Sequence, residues 1–228
     1  MLKKLNNIGD SAIVCDFGDE VNQTVNSEVI KLFHFLKRQS ALGNIKGILN
    51  YAPSYNKLII SFDLKIINLN KVFDFIKSSD FNNLNLGKDK KEWTIPICYD
   101  LGVDLINISK KLKLDKDEII SIHSKSIFFI YMIGFVPGHP FMGDLDSRLF
   151  LNRLKTPRVK VSAGSVGIVE KFCNIYPFES PGGWNIIGKT PIKLFNNKDN
   201  SNPCLLSPGD TIKFESISKA EFENFKNE

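Results

Sequence analysis

Ile127-Phe128-Phe129-Ile130-Tyr131-Met132-Ile133-Gly134-Phe135-Val136-Pro137-Gly138-His139-Pro140-Phe141 marks a change in the texture of the chain. Its first seven residues, bulky and mostly β-branched or aromatic, read as a buried strand. The apolar stretch 127–136 is about half the roughly 20 residues that a membrane-spanning helix requires, so no membrane association is expected. Downstream, short apolar segments at 165–169, 185–187, 192–195 and 211–214 are separated by Gly and Pro, and Pro208-Gly209 suits a tight turn whose glycine takes positive φ. Many short strands punctuated in this way indicate an all-β barrel or sandwich.

Upstream of that run, two short helices are expected. Asp104 is read as the cap of a helix carrying Leu105, Ile108 and Leu112, and Asp115 with Glu118 forms a capping-box pattern ahead of Ile119 and Ile122. A helix-turn-helix reading finds little support, because the second helix is too short to present many base-reading side chains. A strand at 93–98 opens this half. The first half alternates strand and helix: a strand at 11–17, a helix with Val21, Val25, Val29, Leu32, Phe33 and Leu36 on one face, strands at 45–51 and 57–62, and a second helix at 69–76. Asn22 is placed to cap the long helix, and Lys37 and Arg38 to close it. His34 on its flank is read as a solvated or packing histidine. The order β-α-β-β-α predicts a small α+β sandwich. Residues 80–92 lack apolar periodicity and read as a linker, which sets two domains, 1–90 and 91–228.

The 228 residues are 43% hydrophobic and 24% charged, which excludes a disordered or collagen-like chain. Thirty Lys and Arg against 25 Asp and Glu leave a net charge of +5. The excess is spread among lysines, and the arginines are Arg38, Arg148, Arg153 and Arg158, so nucleic-acid binding is not expected. Cys15, Cys98, Cys173 and Cys204 stand far apart, with no CxxC and no Cys/His pairing at ligand spacing. They read as reduced thiols, and no metal site is expected. Met1-Leu2-Lys3-Lys4-Leu5-Asn6-Asn7 turns polar at once, which predicts no signal peptide and a cytoplasmic location.

Special residues concentrate in residues 134–141, Thr156-Pro157-Arg158, Ser162-Ala163-Gly164-Ser165-Val166-Gly167 and Tyr176-Pro177-Phe178-Glu179-Ser180-Pro181-Gly182-Gly183-Trp184. Each alone is turn chemistry; several on one domain suggest a shared pocket. Gly164, Gly182 and Gly183 would let backbone amides approach an anionic or carbonyl oxygen. Arg158 can pair with a carboxylate or phosphate, and Tyr176 and Trp184 can wall the pocket. His123, at the end of the second short helix, is either a cationic helix cap or an acid–base group. His139, inside the Gly/Pro loop, is expected to face a cavity and is a second acid–base candidate. Ser165 and Ser180 lack an identified base. Neither a P-loop nor a GxSxG elbow is present.

Those segments, taken in order, resemble the bacterial 5-oxoprolinase B-subunit family, also described as the allophanate hydrolase subunit 1 type, which includes an inhibitor of a sporulation histidine kinase. The resemblance rests on Gly134-Phe135-x-Pro137-Gly138-x-Pro140, Thr156-Pro157-Arg158, Ala163-Gly164-Ser165-Val166-Gly167-Ile168, Ile175-Tyr176-Pro177, and Ser180-Pro181-Gly182-Gly183-Trp184-x-x-Ile187-Gly188-x-Thr190-Pro191. Gly9-Asp10-Ser11-Ala12, Phe17-Gly18-Asp19-Glu20 and Pro208-Gly209-Asp210 extend it over nearly the whole chain. It implies an α+β fold, a small α/β sandwich followed by a cyclophilin-like β-barrel. It also implies ATP-dependent opening of 5-oxo-L-proline to L-glutamate, with two other subunits and with ATP and Mg²⁺ used by the complex; which subunit binds the nucleotide is left open by the sequence. A carboxyltransferase-like subunit is the implied direct partner. Catalytic roles would fall to His123, His139 and Arg158, and substrate contacts to Gly164, Ser165, Tyr176, Ser180, Gly182, Gly183 and Trp184.

The sequence departs from that family at Glu170-Lys171-Phe172-Cys173-Asn174, where Gly-x-Gln-Thr-Gly is usual. It departs again at His139, where an aromatic is common, at Asp144, where glycine is common, and at Ser162, where proline is common. Two alternative functions remain at this point: a regulator that inhibits a histidine kinase by protein contact, and a partner of a biotin-dependent urea- or allophanate-type amide hydrolase. Prolyl isomerisation would follow from the barrel by fold analogy alone.

Overall fold

A computed structural model of the chain describes residues 2–81, 90–199 and 201–227. It divides into two compact units, Met1–Lys90 and Lys91–Glu228.

In the first unit, strands β1 (Lys4–Ile8), β2 (Ala12–Asp16), β3 (Ile48–Pro53) and β4 (Lys57–Phe62) form an antiparallel sheet in the order β1-β2-β4-β3. Alternation along β2 and β4 sends Ile13, Cys15, Leu58, Ile60 and Phe62 to one face. Helices α1 (Gln23–Ala41) and α2 (Leu69–Ser78) cover that face with Val29, Leu32, Leu36, Val72 and Ile76. Asn22 caps α1 as expected, its side chain accepting from the Val25 amide at 2.9 Å. The sequence reading missed β1, whose Leu5, half-buried, is the sole strongly apolar residue before Ile8.

In the second unit, strands β5 (Glu92–Ile97), β6 (Ile127–Ile133), β7 (Pro140–Gly143), β9 (Ser165–Val169), β10 (Phe172–Ile175), β12 (Asn185–Lys189) and β13 (Thr211–Ser216) form one sheet, ordered β12-β9-β10-β7-β6-β13-β5. The ends of that order meet. Cys98 and Lys189 exchange backbone hydrogen bonds at 2.8 and 3.0 Å, so the sheet nearly closes into a barrel. A separate ribbon pairs β8 (Arg158–Val161) with β11 (Ser180–Gly182). Helices α3 (Leu105–Leu112) and α4 (Lys116–Lys125) contribute Leu105, Ile108, Ile119 and Ile122 to the barrel core, where they meet Ile97, Phe128, Ile130, Ile168, Ile175 and Phe214. Helix α5 (Lys219–Asn227) follows β13.

Three local expectations are corrected. Asp104 and Asp115 stand at helix N-caps but make no side-chain capping bond. Asp104 spends its carboxylate elsewhere, as described below. Residues 192–195 form no strand and contribute a single bridge, Phe195 to Cys204. Strands β7, β8, β10 and β11 were unforeseen, because each is three or four residues long and carries Gly, Pro or Asn or lies beside them. Of the expected linker, residues 82–89 lie outside the described residues.

Candidate functional site

Register across the barrel wall sets the site. Phe141 on β7 pairs with Asn174 on β10, which pairs with Gly167 on β9, which pairs with Ile186 on β12. Their neighbours one residue along, Met142, Cys173 and Ile168, point into the barrel core. Strand alternation therefore puts Phe141 and Asn174 on the outer face of the wall. There a cleft of about 340 Å³ opens. Phe135, His139 and Phe141 line it from the β6–β7 segment, Val169, Glu170 and Asn174 from the β9–β10 hairpin, and Arg153, Tyr176, Pro181, Gly182 and Trp184 from the segments around the ribbon.

Aromatic packing shapes this cleft. The His139 ring stacks on Phe141, with centroids 4.7 Å apart and planes 8° apart, and lies 5.2 Å from Tyr176. Trp184 meets Phe141 edge-on at 6.1 Å. Gly182 is required for close approach: a Cβ there would collide with the Tyr176 ring and hydroxyl. His139 is buried, and burial holds its imidazole at about 4, below the usual histidine value, so it is neutral near pH 7. Asn174 Nδ2 donates to His139 Nε2 at 3.0 Å, which leaves the ring proton on Nδ1. Neither His139 Nδ1 nor Asn174 Oδ1, both buried, has a hydrogen-bond partner among the described residues. Burial also raises the Tyr176 hydroxyl above its usual value.

The two candidate histidines lie on opposite sides of β10. His123 is fully buried inside the barrel, its Nδ1 bonded to the Tyr99 hydroxyl at 2.8 Å and its Nε2 3.7 Å from Cys173 Sγ. Its ring packs 4.9 Å from Phe128 and 4.8 Å from Phe214. Burial pushes it down to about 3, so it is not the cationic helix cap that its place near the end of α4 suggested. It is not among the residues lining the cleft.

Arg158 is also absent from the lining. Its guanidinium donates to Asp104 Oδ1 at 2.5 Å, while Asp104 Oδ2 accepts the Ile186 amide at 2.7 Å. This pair ties the start of α3 to β8 and β12. Gly164, at φ +79°, donates its amide to the Tyr176 carbonyl at 2.7 Å and accepts from Thr190 at 2.8 Å, so its backbone is already engaged. Ser165 is buried with its hydroxyl 3.2 Å from that of Ser162 and its carbonyl accepting from the Tyr176 amide at 2.9 Å, but it is not among the lining residues. Ser180 Oγ is buried without a hydrogen-bond partner beside the cleft's Pro181. The structure thus brings together His139, Tyr176, Gly182 and Trp184. Gly183 joins them at the margin, its carbonyl accepting from the Leu154 amide at 2.8 Å and its Cα backed by the Arg153 guanidinium.

Sequence reading missed Arg153, Glu170, Asn174, Phe135 and Phe141 as lining residues. Arg153 sits between Asn152 and Leu154 in no motif, and only the tertiary path of the 151–157 segment brings it there. Asn174 had a signal: it lies within the 170–174 departure and precedes Ile175-Tyr176-Pro177. Within that departure, Cys173 faces the core. The polar residues of that stretch that line the cleft are Glu170 and Asn174. Asp144, another of the departures, sits at φ +69°, a left-handed backbone that Asp tolerates better than most residues.

No group of three or more His, Cys, Asp or Glu side chains suited to a metal ion occurs among the described residues. Among them, too, no helix is long and apolar enough to cross a membrane.

Comparison with known proteins places residues 3–206 in the family described as carboxyltransferase domain, subdomain C and D. The chain is 33% identical over 238 aligned residues to the B subunit of 5-oxoprolinase from Bacillus subtilis (strain 168), covering 99% of this chain and 97% of that one. It is 29% identical to the urea amidolyase of Saccharomyces cerevisiae over 94% of this chain, but spans 13% of that much longer protein. The crystal structure of TTHA0988 is similar with a TM-score of 0.82 at 27% identity, covering 92% of this chain and 40% of that one. The chain therefore spans nearly the whole of the Bacillus protein and less than half of TTHA0988.

Proposed function

The chain belongs to the carboxyltransferase domain, subdomain C and D, family, and from that membership we propose that it is the B subunit of an ATP-dependent 5-oxoprolinase complex that hydrolyses 5-oxo-L-proline to L-glutamate. One observation carries this reading: the end-to-end match, 33% identical and 97% complete, to a protein bearing that name. Two further subunits complete the complex, a carboxyltransferase-like one as the direct partner, and the assembly works in the cytoplasm. The lengths of TTHA0988 and the urea amidolyase support a partner, since both carry this unit within longer chains.

The outer cleft is the place on this chain for the lactam. Its aromatic walls suit a small ring. A neutral His139 bearing its proton on Nδ1 donates to a carbonyl oxygen and does not act as a base at pH 7, because burial holds it near 4. Tyr176 stays protonated, its hydroxyl raised by burial. His123 and Arg158 serve the architecture, the first inside the core and the second on Asp104. The cleft residues do not fit a polyphosphate. Arg153 is their sole cation and shares the cleft with the Glu170 carboxylate, and the Gly164 amide, expected to approach an anionic oxygen, is already used. This cleft is accordingly not the place for ATP and Mg²⁺.

The test is glutamate formation from 5-oxoproline by this chain combined with its two partner subunits. Glutamate is expected from the full mixture and not from this chain alone. The urea amidolyase similarity makes urea and allophanate the competing substrates; turnover of either, without turnover of 5-oxoproline, would replace this reading.

A further inference from the structure

The charged side chains that line the outer cleft are Arg153 and Glu170. They make no ion pair with each other, and Arg153 has no carboxylate partner among the described residues, whereas Arg158, the sequence's expected anion anchor, is held by Asp104. The Arg153 guanidinium is kept at the cleft margin against Gly183, where a Cβ would lie 3.3 Å from its Nε. Its charge reaches inward, since it helps restrain the rise of the buried Tyr176 hydroxyl. Two further polar groups of the lining, His139 Nδ1 and Asn174 Oδ1, are buried and unsatisfied, although unpaired buried polar atoms are uncommon in native proteins. The lining thus offers one exposed cation at its margin, one buried neutral N–H donor from His139, and carboxylate or amide acceptors from Glu170 and Asn174. His139 lies among the aromatic rings of Phe141 and Tyr176, and the two charged groups stand at the exposed rim.

We propose that Arg153 anchors the carboxylate of a small cyclic amide acid in this cleft, while His139 Nδ1 receives the ring carbonyl and Glu170 or Asn174 the ring N–H. This rests on the 5-oxoprolinase reading and deepens it. The ligand's three polar groups, an anionic acceptor, a neutral acceptor and a neutral donor, match the cleft's groups in kind. A guanidinium can hold a carboxylate through two parallel hydrogen bonds, which fixes the ring's orientation as well as its affinity. Arg153 is therefore a residue that separates acids from uncharged lactams. The amide bond that breaks is not the bond it holds, so its effect falls on binding.

The experiment compares 5-oxoproline with 2-pyrrolidinone, the same ring without its carboxylate, in the three-subunit assembly with wild-type chain, Arg153→Met and Arg153→Lys. Arg153→Met should raise KM for 5-oxoproline about 10- to 100-fold, the usual worth of a hydrogen bond to a charged group, with a smaller change in kcat. The preference for 5-oxoproline over 2-pyrrolidinone should shrink by the same factor, and Arg153→Lys should restore part of it. Unchanged KM and preference in Arg153→Met would overturn the assignment, as would an equal loss toward both lactams, which is the mark of a merely structural residue. An inactive wild-type assembly would count against the 5-oxoprolinase reading itself. In that event, equilibrium binding of 5-oxoproline and 2-pyrrolidinone to the full chain, followed by tryptophan fluorescence, still decides on Arg153. Binding of the acid that Arg153→Met abolishes upholds the anchor. Absence of binding by the wild-type chain, or binding indifferent to the variant, refutes it.

Discussion

Gly164 holds its backbone at φ +79° with its amide bonded to Tyr176 and its carbonyl to Thr190. A Cβ at that position would run into the Thr190 carbonyl oxygen, a backbone atom that cannot swing aside. Gly164→Ala combines a left-handed penalty with that collision and should cost about 2–4 kcal/mol of stability. Thermal or urea unfolding of the full chain measures it, and a loss under about 0.5 kcal/mol would mean that this turn relaxes. The glycine was legible in the sequence, but its purpose was not. It was read as an amide free for an oxyanion, and the amide is in fact consumed by the turn that presents Tyr176. Arg153 is the converse: a lone arginine outside every motif, reaching the cleft through the tertiary path of its segment.

At the level of elements, the pair of Asp104 and Arg158 fastens three pieces of the barrel. Asp104, with its side chain 5% exposed, accepts from Arg158 of β8 and from the Ile186 amide of β12, and it stands at the start of α3. Arg158→Ala would leave a buried carboxylate without its cation, which should destabilise the chain by about 2–4 kcal/mol, somewhat below the cost of breaking a fully buried pair because the guanidinium is partly exposed. Asp104→Asn should recover part of that loss when combined with Arg158→Ala, a coupling readable in a double-mutant cycle. Additivity of the two would show that the pair is not a unit. The same pair explains a limit of sequence reading. Asp104 before an apolar helix pattern looks like a cap, and the competing demand on its carboxylate comes from a residue 54 positions away. Long periodic elements such as α1, β4 and β6 were readable, since their own periodicity places their apolar faces. The three- and four-residue strands that build the cleft were not, because their pairing is fixed by neighbours across the sheet.

For the whole molecule, the two buried histidines on either side of β10 link stability to pH. Each binds its proton near 6.5 in the unfolded chain, but only near 3 (His123) or 4 (His139) when folded. Between those values the unfolded state carries more protons, so stability is full above about pH 6.5 and falls as the solution is acidified through the window down to about 3. Urea unfolding at pH 7, 6, 5 and 4 should show a steady loss, and His139→Gln should flatten part of the slope. Stability that stays level from pH 7 to 4 would show that neither imidazole is as buried as described. Catalysis by the assembly, in turn, should show no inflection near 6.5 from His139, since that ring is already neutral at that pH. The fold class and the family were legible in the whole sequence because ordered turn motifs from residues 9 to 210 specify one scaffold. Which side of a strand each candidate faces was not, and that separates His139 from His123.

The measurement that bears most directly on this account is 5-oxoproline-dependent ADP release by the three-subunit mixture, with this chain present, omitted, or added back in increasing amounts. The account predicts release that is absent without the chain, rises to a plateau as it is restored, and is matched by glutamate. ADP release that depends on 5-oxoproline at full rate without this chain, or no release even in a verified three-subunit assembly, would contradict it.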